Sequence, residues 1–186
     1  MSSNVNRLSN FWKDVLKLPY KSNSQTHPYH EQQIQELLTK HNFDYIVQPN
    51  GTQKSPDIRV ILDDGNVLDI ECKSTKGTCP MYNSGLPKQN VFYILCSERY
   101  NETTIYLGDD VVRRVHRDLY NNLNDELHKV LEIFRKNPEW NDNERGFDYY
   151  IRPMYTQKGN ANKKDYFKHY NRVRCEQNVI NWHIQS

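Results

Sequence analysis

The sequence contains no apolar run of the roughly 20 residues that a membrane-spanning helix requires, and its first residues lack the apolar stretch of a signal peptide. We therefore expect a cytoplasmic protein with no membrane partner. The chain also lacks the glycine-rich loops that bind nucleotide phosphates, which argues against P-loop and dinucleotide-binding enzymes. Its 4 cysteines show no C-x-x-C spacing, so reduced thiols are expected rather than a zinc site.

Apolar residues are also scarce, at 36% of the chain, and the mean hydropathy is −0.95. Aromatic residues nevertheless make up 12%, with 13 tyrosines, and disordered chains are poor in aromatic residues. A length of 186 residues suits one folded domain. The sequence therefore predicts an ordered protein with a polar surface.

The net charge of +2 does not by itself indicate a nucleic-acid-binding protein, but the charge is unevenly distributed. Between residues 152 and 174, seven Lys or Arg accompany a single acid and are interleaved with aromatic residues. Lys163, Lys164 and Lys168 in this run are candidate contacts to DNA phosphates. A solvent-exposed helix face would have the same composition, and that alternative stays open.

Hydrophobic periodicity and turn residues predict an α/β domain with a central mixed sheet flanked by helices. The predicted strands are 43–47, 57–62, 67–73, 91–96, 103–107 and 147–155. The predicted helices are 11–18, 28–40, one that begins at Asp109 or Asp110 and is interrupted near Asn121–Asn124, and a terminal helix over 163–182. Residues 91–96 are apolar throughout, which is typical of a buried central strand.

A hairpin with a defined register is expected between the second and third strands. The turn Asp63-Asp64-Gly65 suits a three-residue loop, in which glycine occupies the left-handed third position at least cost. The resulting register pairs Asp57 with Glu71, Ile58 with Ile70, Arg59 with Asp69 and Val60 with Leu68. One face of the hairpin is then apolar and the other charged, and a slip of one residue would destroy that separation.

The predicted charged face brings Asp57, Glu71 and Lys73 together. Directly opposed side chains lie about 5 Å apart at Cβ, and two carboxylates that close repel each other unless a cation lies between them. Mg²⁺ binds such a pair together with water and substrate phosphate, and a lysine beside it can direct or deprotonate the attacking water. Ordinary cross-strand ion pairing, as between Arg59 and Asp69, is the alternative explanation for the charges.

The segments Ser55-Pro56-Asp57 and Glu71-Cys72-Lys73 resemble the motif of the PD-(D/E)xK nuclease superfamily, which has the restriction-endonuclease-like fold. The resemblance implies that Mg²⁺, for which Mn²⁺ would substitute, is bound by Asp57, Glu71 and the carbonyl of Cys72. It also implies that Lys73 positions or activates the attacking water. Many members add an acid from the preceding helix, for which Glu31 is the first candidate and Glu36 the second. A charge favoured by the helix dipole would explain Glu31 equally well.

The resemblance extends over residues 28–110, which would form the core of a single nuclease domain spanning 1–186 with a helical, basic C-terminal extension over 111–186. The loop before the buried strand approaches DNA in restriction enzymes, which makes Asn83, Ser84 and Lys88 candidate contacts. A plain turn-rich connection is the alternative for each of these residues.

More narrowly, the chain resembles the small subunit of a heterodimeric type IIS restriction endonuclease, which cuts one strand of double-stranded DNA. A larger subunit then recognises the sequence and nicks the other strand, although a second copy of the chain could also be the partner. The sequence shows no helix-turn-helix or zinc module that would read bases.

Two other functions remain open from sequence alone. A structure-selective repair or junction nuclease would use the same residues and would cleave junction DNA in preference to linear duplex. A non-catalytic DNA-binding or assembly module would use the hairpin charges for ion pairing and would bind no Mn²⁺ between Asp57 and Glu71.

Overall fold

Five strands form one mixed sheet whose spatial order follows their order in the chain. The structure is a computed structural model that describes residues 2–21, 29–52, 54–82 and 85–182. Only β3 and β4 run parallel, while the other neighbouring strands are antiparallel. The strands are β1 Asp44–Val47, β2 Ile58–Ile61, β3 Val67–Thr75, β4 Val91–Ser97 and β5 Glu102–Leu107. The prediction of an α/β fold with a mixed sheet flanked by helices is therefore confirmed.

Seven helices are found among the described residues, and none of them is long and apolar enough to cross a membrane. They are α1 Ser2–Val15, α2 Tyr29–Lys40, α3 Gly108–Val111, α4 Arg114–Arg135, α5 Pro138–Asn141, α6 Ala161–Lys164 and α7 Arg172–Ile180. The predicted first helix, 11–18, was placed too late in the chain, because α1 begins at Ser2 and ends at Val15.

The β2–β3 hairpin has the predicted register. Ile58 pairs with Ile70 and Arg59 with Asp69, and the Leu62 amide donates to the Asn66 carbonyl at 2.9 Å across the turn. Gly65 has φ +82°, the left-handed conformation that a three-residue loop requires. The two faces of the hairpin are therefore separated as the sequence predicted.

One face of the sheet packs against α1 and α2 and forms the larger hydrophobic core. Buried side chains from the two helices meet the apolar side of the hairpin and alternate residues of β4 and β5. The core includes Phe11, Trp12, Ile34, Leu38, Ile58, Val60, Leu68, Ile70, Phe92, Ile94, Ile105 and Val179. Trp12 stacks on Phe92 with ring centroids 5.5 Å apart, so α1, which lies outside the 28–110 region, is part of this core.

The opposite face of the sheet is covered by apolar side chains over β4 and β5. There Tyr93, Leu95 and Tyr106 pack against Tyr82 of the loop between β3 and β4 and against Phe167 of the C-terminal region. The β2–β3 part of the same face carries charged residues that are only partly buried. An open, polar surface therefore begins where the aromatic cover ends.

Helix α4 is continuous through Asn121, Asn122 and Asn124, so the predicted interruption was wrong. An asparagine costs at most about 0.7 kcal/mol relative to alanine inside a helix, and an amphipathic helix of 22 residues tolerates that cost. Apolar side chains along this helix are exposed by 40–68%. They are Val115, Leu119, Tyr120, Leu123, Leu127, Val130, Ile133 and Phe134, and we call them the α4 apolar face.

The predicted strand 147–155 is wrong, because this segment runs beside α4 instead of joining the sheet. Arg135 binds Asp148 at 2.6 Å, and the rings of Tyr120 and Tyr155 lie 5.3 Å apart. The only β contact described for the segment is a single bridge between Tyr155 and Tyr82.

The predicted terminal helix over 163–182 is wrong in its extent, because α6 and α7 are separate short helices. Between them, the Asp165 carboxylate accepts bonds from the amides of Phe167 and Lys168, both at 3.0 Å. Such side-chain bonds to backbone amides compete with helix formation.

We expect Ile70→Ala to lower the free energy of unfolding by about 2–5 kcal/mol, because it removes a fully buried side chain and leaves a cavity. Val67→Ala, on the same strand but with the side chain 51% exposed, is the matched control and should cost much less. Urea denaturation followed by circular dichroism measures both. Equal losses for the two variants would show that the hairpin register is wrong.

Candidate active site

The hairpin places three polar residues of the sequence motif at one end of the uncovered sheet face. Asp57 directly precedes β2, while Glu71 and Lys73 lie on β3 two residues apart and therefore on the same face. Their neighbours Ile58, Ile70 and Cys72 point into the core. The packing of the apolar side therefore fixes the direction of the charged side.

Direct bonds hold the Asp57 and Glu71 carboxylates in place. The Cys72 amide donates to Asp57 Oδ2 at 2.7 Å, and Lys73 Nζ donates to Glu71 Oε1 at 2.6 Å. Glu71 is 9% exposed, and its Oε2 atom is buried without a hydrogen-bond partner among the described residues. A buried carboxylate oxygen left in this state is costly unless a cation or donor reaches it.

The acids of the site destabilise one another's charged forms. Burial and the charge of Glu71 raise the pKa of Asp57, while the Cys72 amide and Lys73 act in the opposite direction. Burial and the charge of Asp57 likewise raise the pKa of Glu31, at the start of α2. The structure therefore brings Glu31 into the electrostatic field of the site. Glu36, the second candidate, is exposed and accepts a bond from Gln32 at 3.2 Å.

The three motif residues line a cleft of about 1000 Å³. Asp57, Glu71 and Lys73 share it with residues from four other regions of the chain. The remaining lining residues are Asn50, Lys54 and Ser55 from the loop before β2, Met81, Tyr82, Gly85, Leu86 and Lys88 from the loop before β4, Tyr93 of β4, and Tyr150 and Arg152 of the C-terminal region.

Of the candidate DNA contacts, Lys88 lines this cleft, and Asn83 and Ser84 lie outside the described residues. Lys163 lines a different cavity of about 120 Å³, and Lys168 lies over the Tyr100 ring, 5.1 Å from its centroid. Lys164, beside Lys163 on α6, is not among the described residues that line the cleft. The structure thus brings Lys88 of the candidate DNA contacts to the site, and of the basic run over 152–174 the cleft lining includes Arg152.

Sequence reasoning missed several residues of the cleft. Tyr93 could have been found, because it is a polar-tipped residue in the strand predicted over 91–96. In the structure it pairs with Glu71 in the parallel β3–β4 register, and its hydroxyl accepts a hydrogen bond from the Lys88 amide at 2.8 Å. Lys54 lies three positions before Asp57, close enough in sequence to be a candidate. Tyr150 gave no signal, and Arg152 was recognised only as part of the basic run, because the position of both residues depends on the path of the C-terminal region.

No group of three or more His, Cys, Asp or Glu side chains that could hold a metal ion is found in the described part of the chain. Two carboxylates are nevertheless a sufficient protein contribution for Mg²⁺, which keeps several water ligands. The unpartnered Glu71 Oε2 and the raised pKa of Asp57 both fit a site that a divalent cation completes. Asp57 and Glu71 are thus the residues that would hold it.

No family model, curated protein or solved structure matches this chain.

We expect Asp57→Asn to raise the melting temperature at neutral pH in the absence of divalent cations. Because the pKa of Asp57 is raised on folding, its stabilising contribution is present below the ordinary pKa of 3.8 and is lost as pH rises through the folded pKa. The gain from the variant should therefore shrink as the pH falls towards 3.8.

Thermal melts at a series of pH values measure this dependence. Asp44→Asn, at an exposed position on β1, is the matched control and should show no such trend. A variant at Asp57 that is less stable than the wild type at neutral pH would contradict the argument.

Proposed function

We propose that this protein is a Mg²⁺-dependent DNA endonuclease that hydrolyses phosphodiester bonds. The observation that carries the proposal is the convergence of Asp57, Glu71 and Lys73 on the floor of one cleft, with a buried Glu71 oxygen that has no described hydrogen-bond partner. Similarity of these residues to the PD-(D/E)xK motif supports the same activity. The products would carry a 5′-phosphate and a 3′-hydroxyl, as in that superfamily.

Asp57 and Glu71 bind the cation in this proposal, with the Cys72 carbonyl as a further ligand and Glu31 as a nearby acid. Bound Mg²⁺ lowers the pKa of water and neutralises the charge that grows on a phosphate during hydrolysis. The Cys72 amide keeps Asp57 oriented through its bond of 2.7 Å. A charged group held in place before the reaction needs little reorganisation during it.

Lys73 positions the attacking water and stabilises the negative charge of the reacting phosphate. Its ammonium is held by Glu71 at 2.6 Å, and its side chain remains 29% exposed towards the cleft. A lysine that also binds a carboxylate keeps its position while offering its other protons to substrate. Loss of the amine should therefore affect the rate more than the fold.

We expect Glu71→Ala and Lys73→Ala each to lower Mg²⁺-dependent cleavage by about 10²–10⁴-fold. Asp69→Asn is the matched control, because Asp69 lies on the same face of β3 but binds Arg59 at 2.7 Å. It should retain cleavage and lose at most about 1 kcal/mol of stability. A supercoiled-plasmid assay with Mg²⁺, with and without the proteins encoded beside this one, measures the activity.

Full cleavage by either site variant would rule out the assignment of the site. Preference for junction DNA over linear duplex would instead support a repair or junction nuclease.

The α4 apolar face supports the further proposal that the chain is the strand-cleaving subunit of a type II, IIS-like restriction endonuclease. Its eight apolar side chains are 40–68% exposed and lie along one helix, which is the composition of a protein–protein interface rather than of an ordinary surface. Monomeric proteins rarely leave such a patch uncovered. One catalytic site breaks one strand, so a double-strand break needs a second site.

We assign the α4 apolar face to a larger subunit that reads the DNA sequence and nicks the other strand. Helix α4 begins beside the cleft, since Arg117 donates to the carbonyl of Pro87, between the cleft residues Leu86 and Lys88. A protein bound along α4 would therefore lie next to DNA in the cleft.

We expect Leu123→Asp combined with Leu127→Asp to abolish association with the larger subunit and to prevent double-strand cleavage, because charges would be buried in the interface. Asn121→Asp with His128→Asp, both exposed on another side of α4, is the matched control and should leave association intact. Analytical ultracentrifugation of this chain mixed with the larger subunit and DNA measures association, and circular dichroism checks the fold.

Association that survives the leucine substitutions would contradict this assignment. A stable dimer of the chain alone that these substitutions dissociate would assign the face to a second copy.

A further inference from the structure

The segment 147–155 belongs to no helix or strand and runs from α4 to the loop before β4, and both of its ends are fixed. At the start, Arg135 binds the Asp148 carboxylate at 2.6 Å and the Tyr149 carbonyl at 2.9 Å. At the end, the Tyr155 amide donates to the Tyr82 carbonyl at 3.3 Å. The residues between these anchors are therefore held across one side of the cleft.

Positions 151–156 of this part of the chain alternate between half-buried and exposed. Tyr150 and Arg152 line the cleft, whereas Tyr149 and Ile151, in the alternate positions, are not among its described lining residues. Tyr150 is 70% exposed, although large aromatic side chains usually bury most of their surface. An anchored segment thus presents an aromatic ring and a guanidinium to the space that the catalytic carboxylates also line.

The charge of the cleft indicates the class of ligand. Two carboxylates on the floor repel a phosphate backbone, but Lys54, Lys88 and Arg152 lie around them. A guanidinium binds phosphate oxygens in a bidentate manner, and a tyrosine ring stacks on a nucleobase. Both groups are presented here by residues two positions apart on one anchored segment, and both line the same cleft.

We propose that Tyr150 and Arg152 form a clamp for the DNA strand in the cleft, with Arg152 on a backbone phosphate and Tyr150 stacked on the adjacent nucleotide. The clamp deepens the proposed nuclease function, on which it rests, by assigning substrate binding to a segment far in sequence from the catalytic motif. It makes no bond to the scissile group and acts by holding the strand against the floor of the cleft.

Binding measured without cleavage tests the clamp. The probes are a fluorescein-labelled DNA duplex and the single strand of the same sequence, titrated with the full chain in Ca²⁺ and followed by fluorescence anisotropy. Arg152→Ala should weaken binding about tenfold and reduce the slope of log affinity against log salt by about 0.9, because one phosphate contact is lost. Tyr150→Ala should weaken binding about 5- to 100-fold, more for the single strand, while Tyr150→Phe should bind like the wild type.

Matched controls come from the same region. Tyr149→Ala changes the neighbouring exposed tyrosine, which is not among the cleft-lining residues, and Arg145→Ala removes an exposed cation outside that lining. Both should bind DNA like the wild type. Unchanged binding by Tyr150→Ala and Arg152→Ala, equal losses in the controls, or no measurable binding by the wild type would each overturn the clamp.

The binding and cleavage assays separate the two proposals. If the chain binds DNA through these residues but never cleaves it with Mg²⁺, the clamp is supported and the proposed nuclease function is contradicted. If the Tyr150 and Arg152 substitutions change neither cleavage nor the affinity for DNA, the nuclease function is supported and the clamp is contradicted.

Discussion

The register of the β2–β3 hairpin is the constraint on which the rest of the structure depends. Side chains alternate along a strand, so the same register that buries Ile58 and Ile70 also turns Glu71 towards the cleft. Complete burial of an aliphatic side chain contributes about 1.5–3 kcal/mol, and the hairpin buries four such side chains together. A slip of one residue would expose them and push charged groups into the core. Packing on one face therefore holds the polar groups of the other in place.

That constraint explains how the protein tolerates an unfavourable group of acids. Burial and mutual repulsion raise the pKa values of Asp57 and Glu31, so their charged forms oppose folding. The Cys72 amide and the Lys73 ammonium offset part of this cost, because each binds one carboxylate oxygen. A site that is destabilising in isolation and is held by the surrounding packing is typical of functional residues. Arg59 and Asp69 lie two residues further along the same face and form a bidentate pair in which both carboxylate oxygens are bonded. This pair has the geometry expected of charges with a structural role, in contrast to Glu71.

Sequence reasoning succeeded where the structure is determined by local patterns. The turn at Gly65 and the alternation of apolar and charged residues were sufficient for the hairpin register, and a continuous apolar run was sufficient for β4. It failed where long-range packing decides the outcome. The segment 147–155 has the composition of a strand, but its partner is α4, through Arg135 and Tyr120, and no local pattern specifies that pairing. The floor of the candidate site was therefore predictable, while the wall that carries Tyr150 and Arg152 was not.

The division between floor and wall has a mechanical basis. The floor of the cleft, which carries Asp57, Glu71 and Lys73, belongs to the strands that the larger core fixes. The wall, which carries Tyr150 and Arg152, is attached through the loop before β4 and the C-terminal region. The Tyr82 hydroxyl connects these parts, because it bonds to Tyr106 on β5 at 2.9 Å and to Tyr166 at 3.2 Å. Beyond that junction, the wall is held mainly by α4, whose apolar face is exposed. In the proposed nuclease, a protein bound to α4 would contact the helix that holds Tyr150 and Arg152 and would not contact the hairpin, so that binding of the strand and hydrolysis would depend on different parts of the structure.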